Sequence, residues 1–278
     1  MRPWSELLDD VRIKSGYSGL SPACLYATHP NSCPFKHRMR HPSGKYFYIP
    51  CGKCLYCQEH AASGWTARQL AEASASSQTF FVTLTYDDLH KEPISKYTLQ
   101  CFFKRLRKAG LSFRYIALAE YGPRTYRPHY HVLFFLHSCK EFSCPTHFEE
   151  YLFRFWRNGH IQAKEPTKKH HEYISKYSKG LFVETPSWKL YSRRPGIGKD
   201  TEYYLAMKEF WATTGERRFQ TADGELFIPY SCILDWRKEN DVVPEPPDYV
   251  YPQPTYLDCV RYAYDLKMAY DRFIRRKL

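Results

Sequence analysis

A run from Glu120 to His131, followed by the apolar segment Val132-Leu-Phe-Phe-Leu136, constrains this chain more than any other feature. Because side chains alternate between the two faces of a strand, His129 and His131 point in the same direction. Glu120 ends another strand-like stretch, and the glycine and prolines between them predict a hairpin. The hairpin brings one carboxylate beside two imidazoles, which indicates a metal site with room left for substrate and water.

A second motif, Tyr173-Ile-Ser-Lys-Tyr177, places two tyrosines about one helical turn apart, so both can face one site. Lysines surround the pair in the sequence, at Lys168, Lys169, Lys176 and Lys179. A metal site next to paired tyrosines suits the attack of a tyrosine hydroxyl on a DNA phosphate. Because this hydroxyl has a reference pKa of about 10, the attack needs a metal ion or a lysine to stabilise the phenolate. We assign that role to Lys176. The alternative is an amphipathic stripe with a solvated lysine.

Three stretches resemble, in order and spacing, the motifs of the HUH endonucleases that start rolling-circle replication. These are Phe81-Val-Thr-Leu-Thr-Tyr86, Arg127-Pro-His-Tyr-His131 and Tyr173-Ile-Ser-Lys-Tyr177. The segments Pro50–Cys57, Glu120–Gly122 and Ser192–Gly198 further resemble replication-initiation proteins of single-stranded DNA phages, the Microviridae and particularly their gokushovirus branch. The resemblance covers roughly residues 45 to 200. It departs at Tyr130, where many relatives carry a bulky apolar residue.

The resemblance implies a metal-dependent nickase that joins and cuts one DNA strand at a phage origin. Tyr173 or Tyr177 would form a 5′-phosphotyrosine bond and release a 3′ hydroxyl for a host polymerase, and the other tyrosine would cut the regenerated origin. Glu120, His129 and His131 would bind Mn²⁺ or Mg²⁺ in the presence of substrate oxygens, although imidazole alone favours zinc. The protein would act in the bacterial cytoplasm with a host helicase.

Two other functions fit part of the sequence. An HUH transposase or plasmid relaxase would share the chemistry and act on another origin, but relaxases usually carry their tyrosine ahead of the histidines. A non-catalytic, zinc-stabilised protein that binds single-stranded DNA would explain the charge and the aromatic content alone. These classes differ in whether DNA is cut when Mn²⁺ or Mg²⁺ is added.

The composition favours a nucleic-acid partner. Lys and Arg number 41 against 29 Asp and Glu, a formal charge of +12, and 24 tyrosines and 18 phenylalanines are available for stacking on bases. A basic protein without a polyanion partner is the alternative, because charge is an argument about association. The sequence shows neither a membrane-length apolar run nor a signal-peptide layout at its N-terminus, so the ten cysteines are expected to be reduced.

Cysteine spacing predicts a second metal. Cys51, Cys54 and Cys57 are spaced as in structural zinc sites, and the fourth ligand would come from a larger set. That set consists of Cys24, Cys33, His37 and His60. Three packed or free cysteines are the alternative.

A basic loop, Ser192–Gly198, predicts phosphate contacts, with glycines that let the backbone approach DNA and with Arg193 and Arg194 to neutralise it. Arg127 and Lys179 are further predicted DNA contacts. An ordinary turn is the alternative for the loop.

The predicted element order is strand, helix, hairpin, helix, strand, helix, an α+β layout with helices packed on an antiparallel sheet. The resemblance implies the same sheet, with the histidines on its central strand. We predict a Cys-rich basic segment over 1–64, the HUH catalytic domain over 65–185, and an extension over 186–278 that ends in a helix. Within them we expect helices at 65–73, 95–110, 146–158, 168–179, 200–213 and 255–277, strands at 79–86, 112–121, 129–136, 160–163 and 226–230, and an extended linker at 239–254. Residues 1 to about 60 are expected to be irregular. The helix at 95–110 is predicted to start at Ser95 as its N-cap and to bury the apolar stripe of Leu99, Phe102, Phe103 and Leu106.

Overall fold

The computed structural model describes residues 37–40, 44, 46–49, 55–90, 92–122, 125–137, 140–176, 187–221 and 224–240. The helices are α1 (Leu55–Ser74), α2 (Lys96–Lys108), α3 (Pro145–Phe153), α4 (Lys168–Lys176), α5 (Glu202–Thr214) and α6 (Tyr230–Glu239). The strands are β1 (His37–Arg40), β2 (Tyr46–Ile49), β3 (Gln78–Tyr86), β4 (Phe113–Tyr121), β5 (Pro128–Leu136), β6 (Gly159–Lys164), β7 (Trp188–Tyr191), β8 (Arg218–Thr221) and β9 (Gly224–Phe227).

A five-stranded sheet with the order β6-β3-β5-β4-β7 is the centre of the fold, and its pairs are all antiparallel. β5 is the middle strand, as the resemblance implied, and the predicted α+β class is confirmed. Glu120 lies directly opposite His129, and Thr83 lies directly opposite His131. Because directly opposed residues project to the same face, these four side chains share one face of the sheet.

The two faces of the sheet bury different helices. One face packs Val82, Leu84 and Phe134 into the main core with α2 and α3. α2 contributes the four apolar residues predicted from its sequence, all buried: Leu99, Phe102, Phe103 and Leu106. The predicted N-cap is also confirmed, since the Ser95 side chain accepts from the Thr98 amide. The opposite face, which carries the candidate ligands, packs Leu118 and Leu133 with Ile174 of α4.

Three predictions of secondary structure were wrong. Residues 1–60 were expected to be irregular, yet β1 and β2 pair there and α1 begins at Leu55. α3 ends at Phe153 and does not continue to 158, because the amides of Phe155 and Trp156 both donate to the Leu152 carbonyl in a turn that buries Trp156. The expected strand at 226–230 ends at Phe227, and an unpredicted helix, α6, follows. β7 was not predicted either.

The described residues between Ala62 and Ile233 form one compact unit that contains the complete central sheet, and the described residues outside this range are assigned to a second unit. The three domain boundaries expected from the sequence stay predictions. The linker beyond residue 240 and the C-terminal helix lie outside the described residues. No helix in the described part of the chain combines the length and the apolar character needed to cross a membrane.

Candidate functional site

The predicted carboxylate and imidazoles meet at the open end of the β4–β5 hairpin. One ligand atom from each of Glu120, His129 and His131 can be chosen so that all lie within 4.8 Å of one another. Glu120 Oε1 lies 3.1 Å from His129 Nε2 and 3.2 Å from His131 Nε2. Glu120 is buried and both histidines are half-buried. This group could hold a metal ion.

Each histidine is oriented through its other ring nitrogen. His129 Nδ1 lies 3.0 Å from the Arg127 carbonyl, which can only accept, so this nitrogen carries a proton and directs Nε2 towards Glu120. His131 Nδ1 lies 3.1 Å from the Thr83 hydroxyl. Partners of this kind fix the tautomer and the ring plane of histidines that bind metals.

Glu120 is the anionic centre of the group. Burial raises the pKa of this carboxyl, but hydrogen bonds from His129, His131 and Tyr173 outweigh burial and bring the pKa to about 2. Glu120 is therefore ionised at neutral pH. Its Oε2 atom is buried and has no hydrogen-bond partner among the described residues. A buried, ionised carboxylate with a spare oxygen, facing two oriented imidazoles, fits a divalent cation.

α4 brings a predicted nucleophile into the same group. The Tyr173 hydroxyl donates to Glu120 Oε1 at 2.5 Å, and its ring meets the His131 ring edge-on at 5.3 Å between centroids. His170, one turn earlier, stacks on Phe81 of β3 at 4.3 Å and fixes the start of the helix on the sheet. Tyr173 therefore lies beside Glu120 and His131, and its role as a nucleophile stays a prediction.

The other predicted residues of this motif lie at or beyond the edge of the described structure. Lys176 is the last residue of α4, and its side chain lies outside what the structure describes. Tyr177 and Lys179 lie outside the described residues. Their roles, and the placement of both tyrosines on one helical face, stay predictions.

The basic loop is anchored on β4 and α1. Arg114 donates to the Pro195 carbonyl at 2.7 Å, and the Gly198 amide donates to the buried carboxylate of Glu72 at 2.6 Å. Gly198 has φ +74°, and a Cβ there would lie 2.3 Å from the Arg68 carbonyl oxygen. This glycine is thus required by close approach to α1, whereas the sequence suggested approach to DNA.

The arginines predicted to contact DNA have different surroundings. Arg193 and Arg194 are exposed, and Arg193 lies over the Tyr191 ring at 5.8 Å. Arg127 donates to the Tyr86 carbonyl at 2.8 Å and to Asp88 at 2.6 Å, which ties the hairpin loop to the end of β3. DNA contacts by these three residues stay predictions.

The zinc prediction falls mostly outside the described residues. Cys57 is buried near the start of α1, and Cys51 and Cys54 lie outside the described range. Of the four residues considered as a further ligand, His37 lies in β1 and His60 in α1, while Cys24 and Cys33 are not described. The zinc site stays a prediction.

Sequence reasoning missed Thr83, which orients His131, and Glu72, which anchors the basic loop. Thr83 lies within the predicted strand at 79–86, and the stretch Phe81–Tyr86 also carried the resemblance to a family motif, but neither observation assigned Thr83 a role. Strand alternation places Thr83 and Thr85 on one face, but only the pairing of β3 with β5 reveals that Thr83 faces His131.

Comparison with known proteins shows similarity over the part of the chain that contains this site. Residues 79–181, which run from β3 to just beyond α4, match a family model that describes replication-associated proteins of the ORF2 type. The chain is similar to phage replication-associated proteins. It is 30% identical over 151 residues to replication-associated protein VP4 of Bdellovibrio phage phiMH2K, a match that covers 48% of each chain. It is also 30% identical over 155 residues to replication-associated protein ORF2 of Spiroplasma virus 4, covering 47% of each.

A third relative, replication-associated protein ORF4 of Chlamydia phage 1, is 27% identical over 159 residues, 49% of this chain and 39% of that protein. The chain thus spans about half the length of the first two relatives and less of the third. No solved structure matches it. The resemblance to replication proteins of Microviridae-like phages is confirmed.

Proposed function

We propose that this chain initiates rolling-circle replication of a single-stranded DNA phage by cutting and rejoining one DNA strand at the origin. The hydrogen bond from the Tyr173 hydroxyl to Glu120 carries this proposal, because a tyrosine hydroxyl lies against the three-residue group of Glu120, His129 and His131. The family match over residues 79–181 and the printed names of the relatives support a role in phage DNA replication.

The three-residue group would hold a divalent cation, Mn²⁺ or Mg²⁺, with one oxygen of Glu120 and one Nε2 atom from each histidine. Such an ion supplies charge neutralisation at the non-bridging oxygens of the scissile phosphate and polarises its phosphorus. The protein contributes the orientation: Arg127 and Thr83 aim the imidazoles, and α4 holds the tyrosine hydroxyl beside them.

The reaction exchanges one phosphate ester for another. The tyrosine oxygen forms a bond to phosphorus as the bond from phosphorus to the 3′ oxygen breaks, and the 5′ end stays esterified to the protein. The phenol gives up its proton and the departing 3′ oxygen takes one up, so no proton is gained or lost overall. We assign stabilisation of the developing phenolate to Lys176. Tyr177 would perform the same attack on the regenerated origin. The 3′ hydroxyl that this second cut frees would attack the first phosphotyrosine bond, which joins the two ends into a circular strand and releases the first tyrosine.

The DNA and the cellular partners follow from this chemistry. The charge of +12 and the exposed Arg193 and Arg194 suit a single-stranded substrate, and Arg127 and Lys179 are further proposed contacts. Replication would take place in the bacterial cytoplasm with a host polymerase and helicase. Zinc at Cys51, Cys54 and Cys57 would stabilise the N-terminal segment. The chain would consist of that segment over 1–64, the catalytic domain over 65–185 and the C-terminal extension over 186–278.

Incubation with a metal ion and DNA separates this function from its rivals. The test uses single-stranded oligonucleotides that tile the genome encoding the chain, with Mn²⁺, followed by mass spectrometry for a tyrosine linked to DNA. We expect cleavage at one site and a DNA adduct on Tyr173 or Tyr177. A non-catalytic binding protein would retain the oligonucleotides uncut. A transposase or relaxase would leave these oligonucleotides uncut and cut other DNA.

The first prediction concerns the metal ligands. The double substitution His129→Ala and His131→Ala should abolish cleavage, because two of three ligand atoms are removed, while single-stranded DNA binding measured with EDTA present changes little. The matched control is His147→Ala, a substitution of an exposed histidine on α3. Cleavage at the normal rate by the double variant would refute the metal assignment.

A further inference from the structure

Side-chain hydrogen bonds at Ser175 connect α4, the helix that carries Tyr173, to α1. Ser175 is fully buried, and its hydroxyl accepts a hydrogen bond from Gln69 Nε2 at 2.8 Å and another from the Thr66 hydroxyl at 3.0 Å, both from α1. Residues two positions apart on a helix point to opposite sides. Ser175 therefore anchors the side of α4 that faces away from Tyr173.

Lys189 of β7 holds the same residue through its backbone. The Lys189 ammonium donates to the Ser175 carbonyl at 3.2 Å. Lys189 lies directly opposite Leu118 on β4, and Leu118 lies directly opposite His131 on β5. Lys189 is thus on the face of the sheet that carries the three-residue group, two strands away from His131, or about 10 Å between backbones.

This contact suits the end of a helix but disfavours the lysine. The last four carbonyls of a helix lack partners within it, and a cation there also interacts favourably with the helix dipole. Burial, however, lowers the pKa of Lys189 to about 8. Among the described residues no acidic side chain forms an ion pair with it. Burial of an amine without an acidic partner costs free energy. A lysine buried in this way near a candidate metal site is more typical of a functional residue than of a packing residue.

We propose that Lys189 is a positioning residue for DNA cleavage, which acts through Ser175 to hold α4 so that the Tyr173 hydroxyl reaches Glu120. This inference rests on the proposed function. Ser175 lies inside the motif Tyr173–Tyr177 but was assigned no role there, and Lys189 belongs to no motif that predicted the site from the sequence. Gln69 and Thr66 of α1 donate to the Ser175 hydroxyl, and Lys189 of β7 donates to the Ser175 carbonyl.

The test replaces Lys189 in the full chain and uses the oligonucleotide that the wild-type protein cleaves. With Lys189→Met we expect the single-turnover cleavage rate, at saturating Mn²⁺ and DNA, to fall about 10- to 100-fold, the effect of moving a reacting group by about 1 Å. DNA affinity measured in EDTA should change much less than this rate. Lys189→Arg, which keeps a cationic donor, should recover most of the rate.

A second readout needs no DNA. Hydrogen exchange of the α4 amides should quicken in Lys189→Met, whereas exchange in β3 and β5 should not. Lys108→Met is the matched control, because Lys108 is exposed at the end of α2 on the other side of the sheet. If Lys189→Met fails to fold, Lys189→Gln, which keeps an N–H donor without the charge, replaces it.

The two readouts separate the outcomes. If the wild-type protein cleaves DNA and Lys189→Met cleaves it at the same rate, Lys189 has no positioning role. The same conclusion follows if the α4 amides exchange no faster in Lys189→Met than in Lys108→Met. Should the wild-type protein cut no oligonucleotide, the proposed function fails, and the exchange measurement alone still decides whether Lys189 holds the helix.

Discussion

Thr83 and the Arg127 carbonyl give the two histidines their common direction, since each takes one ring nitrogen and leaves the other for Glu120. Without such partners an imidazole presents either nitrogen and rotates about its side-chain bonds, which weakens any site built from it. The chemistry of this site therefore depends on two groups that bind no metal themselves. One of them is a side chain and can be tested by substitution.

Thr83→Val keeps the shape of the side chain and removes the hydroxyl that lies 3.1 Å from His131 Nδ1. We expect the affinity for Mn²⁺, measured by isothermal titration, to fall about 10- to 100-fold, the usual effect of losing an outer-shell partner. Cleavage should fall at limiting Mn²⁺ and recover at saturating Mn²⁺, because the ligands themselves remain.

The same substitution two residues along the strand supplies the control. Thr85 lies on the same face, opposite His129, and its side chain forms no hydrogen bond with any residue that the structure describes. Thr85→Val should therefore leave Mn²⁺ affinity close to that of the wild-type protein, and Thr83→Ser should restore most of what Thr83→Val loses. Equal losses in both valine variants would mean that Thr83 does not orient His131.

The sequence was sufficient to predict which residues meet when their contact depends only on nearby positions in the chain. Strand alternation put His129 and His131 on one face, and the hairpin put Glu120 beside them, because both relations depend on neighbours along the chain. Thr83 and Lys189 could not be predicted in this way. Their roles depend on the order β3-β5-β4-β7 and on its register, which are set by packing over long separations.

Among the helices and strands, those with a strong period were predicted best. α2 follows a clear 3.6-residue pattern with a serine cap, and its four buried residues were all anticipated. β7 has only four residues, each half-buried, so it shows no alternation to recognise. The segment that becomes β9 and α6 is an apolar run interrupted by Pro229, a pattern that fits a strand or the start of a helix equally well.

Gly159 shows how closely two of these elements approach. It begins β6 with φ +136°, and a Cβ there would lie 2.3 Å from the Asp87 amide nitrogen and 2.5 Å from the Thr85 carbonyl oxygen. Both atoms belong to backbone that cannot move without disturbing β3. We expect Gly159→Ala to lower the free energy of unfolding by roughly 3 kcal/mol, as strained backbone and a steric clash combine. Urea denaturation measures this change.

Gly215 is the matched control for that prediction. It also has a positive φ, +70°, at the C-cap of α5, but nothing lies within 4 Å of a Cβ placed there. Gly215→Ala should cost only about 1 kcal/mol, the strain of a left-handed backbone without a clash. Similar losses for the two variants would show that close packing against β3 contributes little.

Across the whole molecule, composition favoured a polyanion partner but did not show where it would bind. The charge of +12 is spread over many lysines and arginines, and several of the arginines serve the fold. Arg114 pairs with the buried Glu72, and Arg105 donates to the Phe155 carbonyl. Only the structure separates these from exposed arginines such as Arg193 and Arg194. Charge counts alone therefore overstate the cations available to DNA.

Salt dependence tests where the DNA lies. For single-stranded DNA the logarithm of the binding constant falls with the logarithm of salt concentration by about 0.7 per phosphate contacted. The double substitution Arg193→Ala and Arg194→Ala should therefore reduce the slope by about 1.4, as two phosphate contacts are lost. Fluorescence anisotropy with a labelled oligonucleotide in EDTA measures it. Lys104→Ala with Lys108→Ala removes the same charge from exposed positions on α2, across the sheet from the site, and should leave the slope unchanged. If both pairs reduce the slope equally, the basic loop attracts DNA only through the overall charge and makes no phosphate contact of its own.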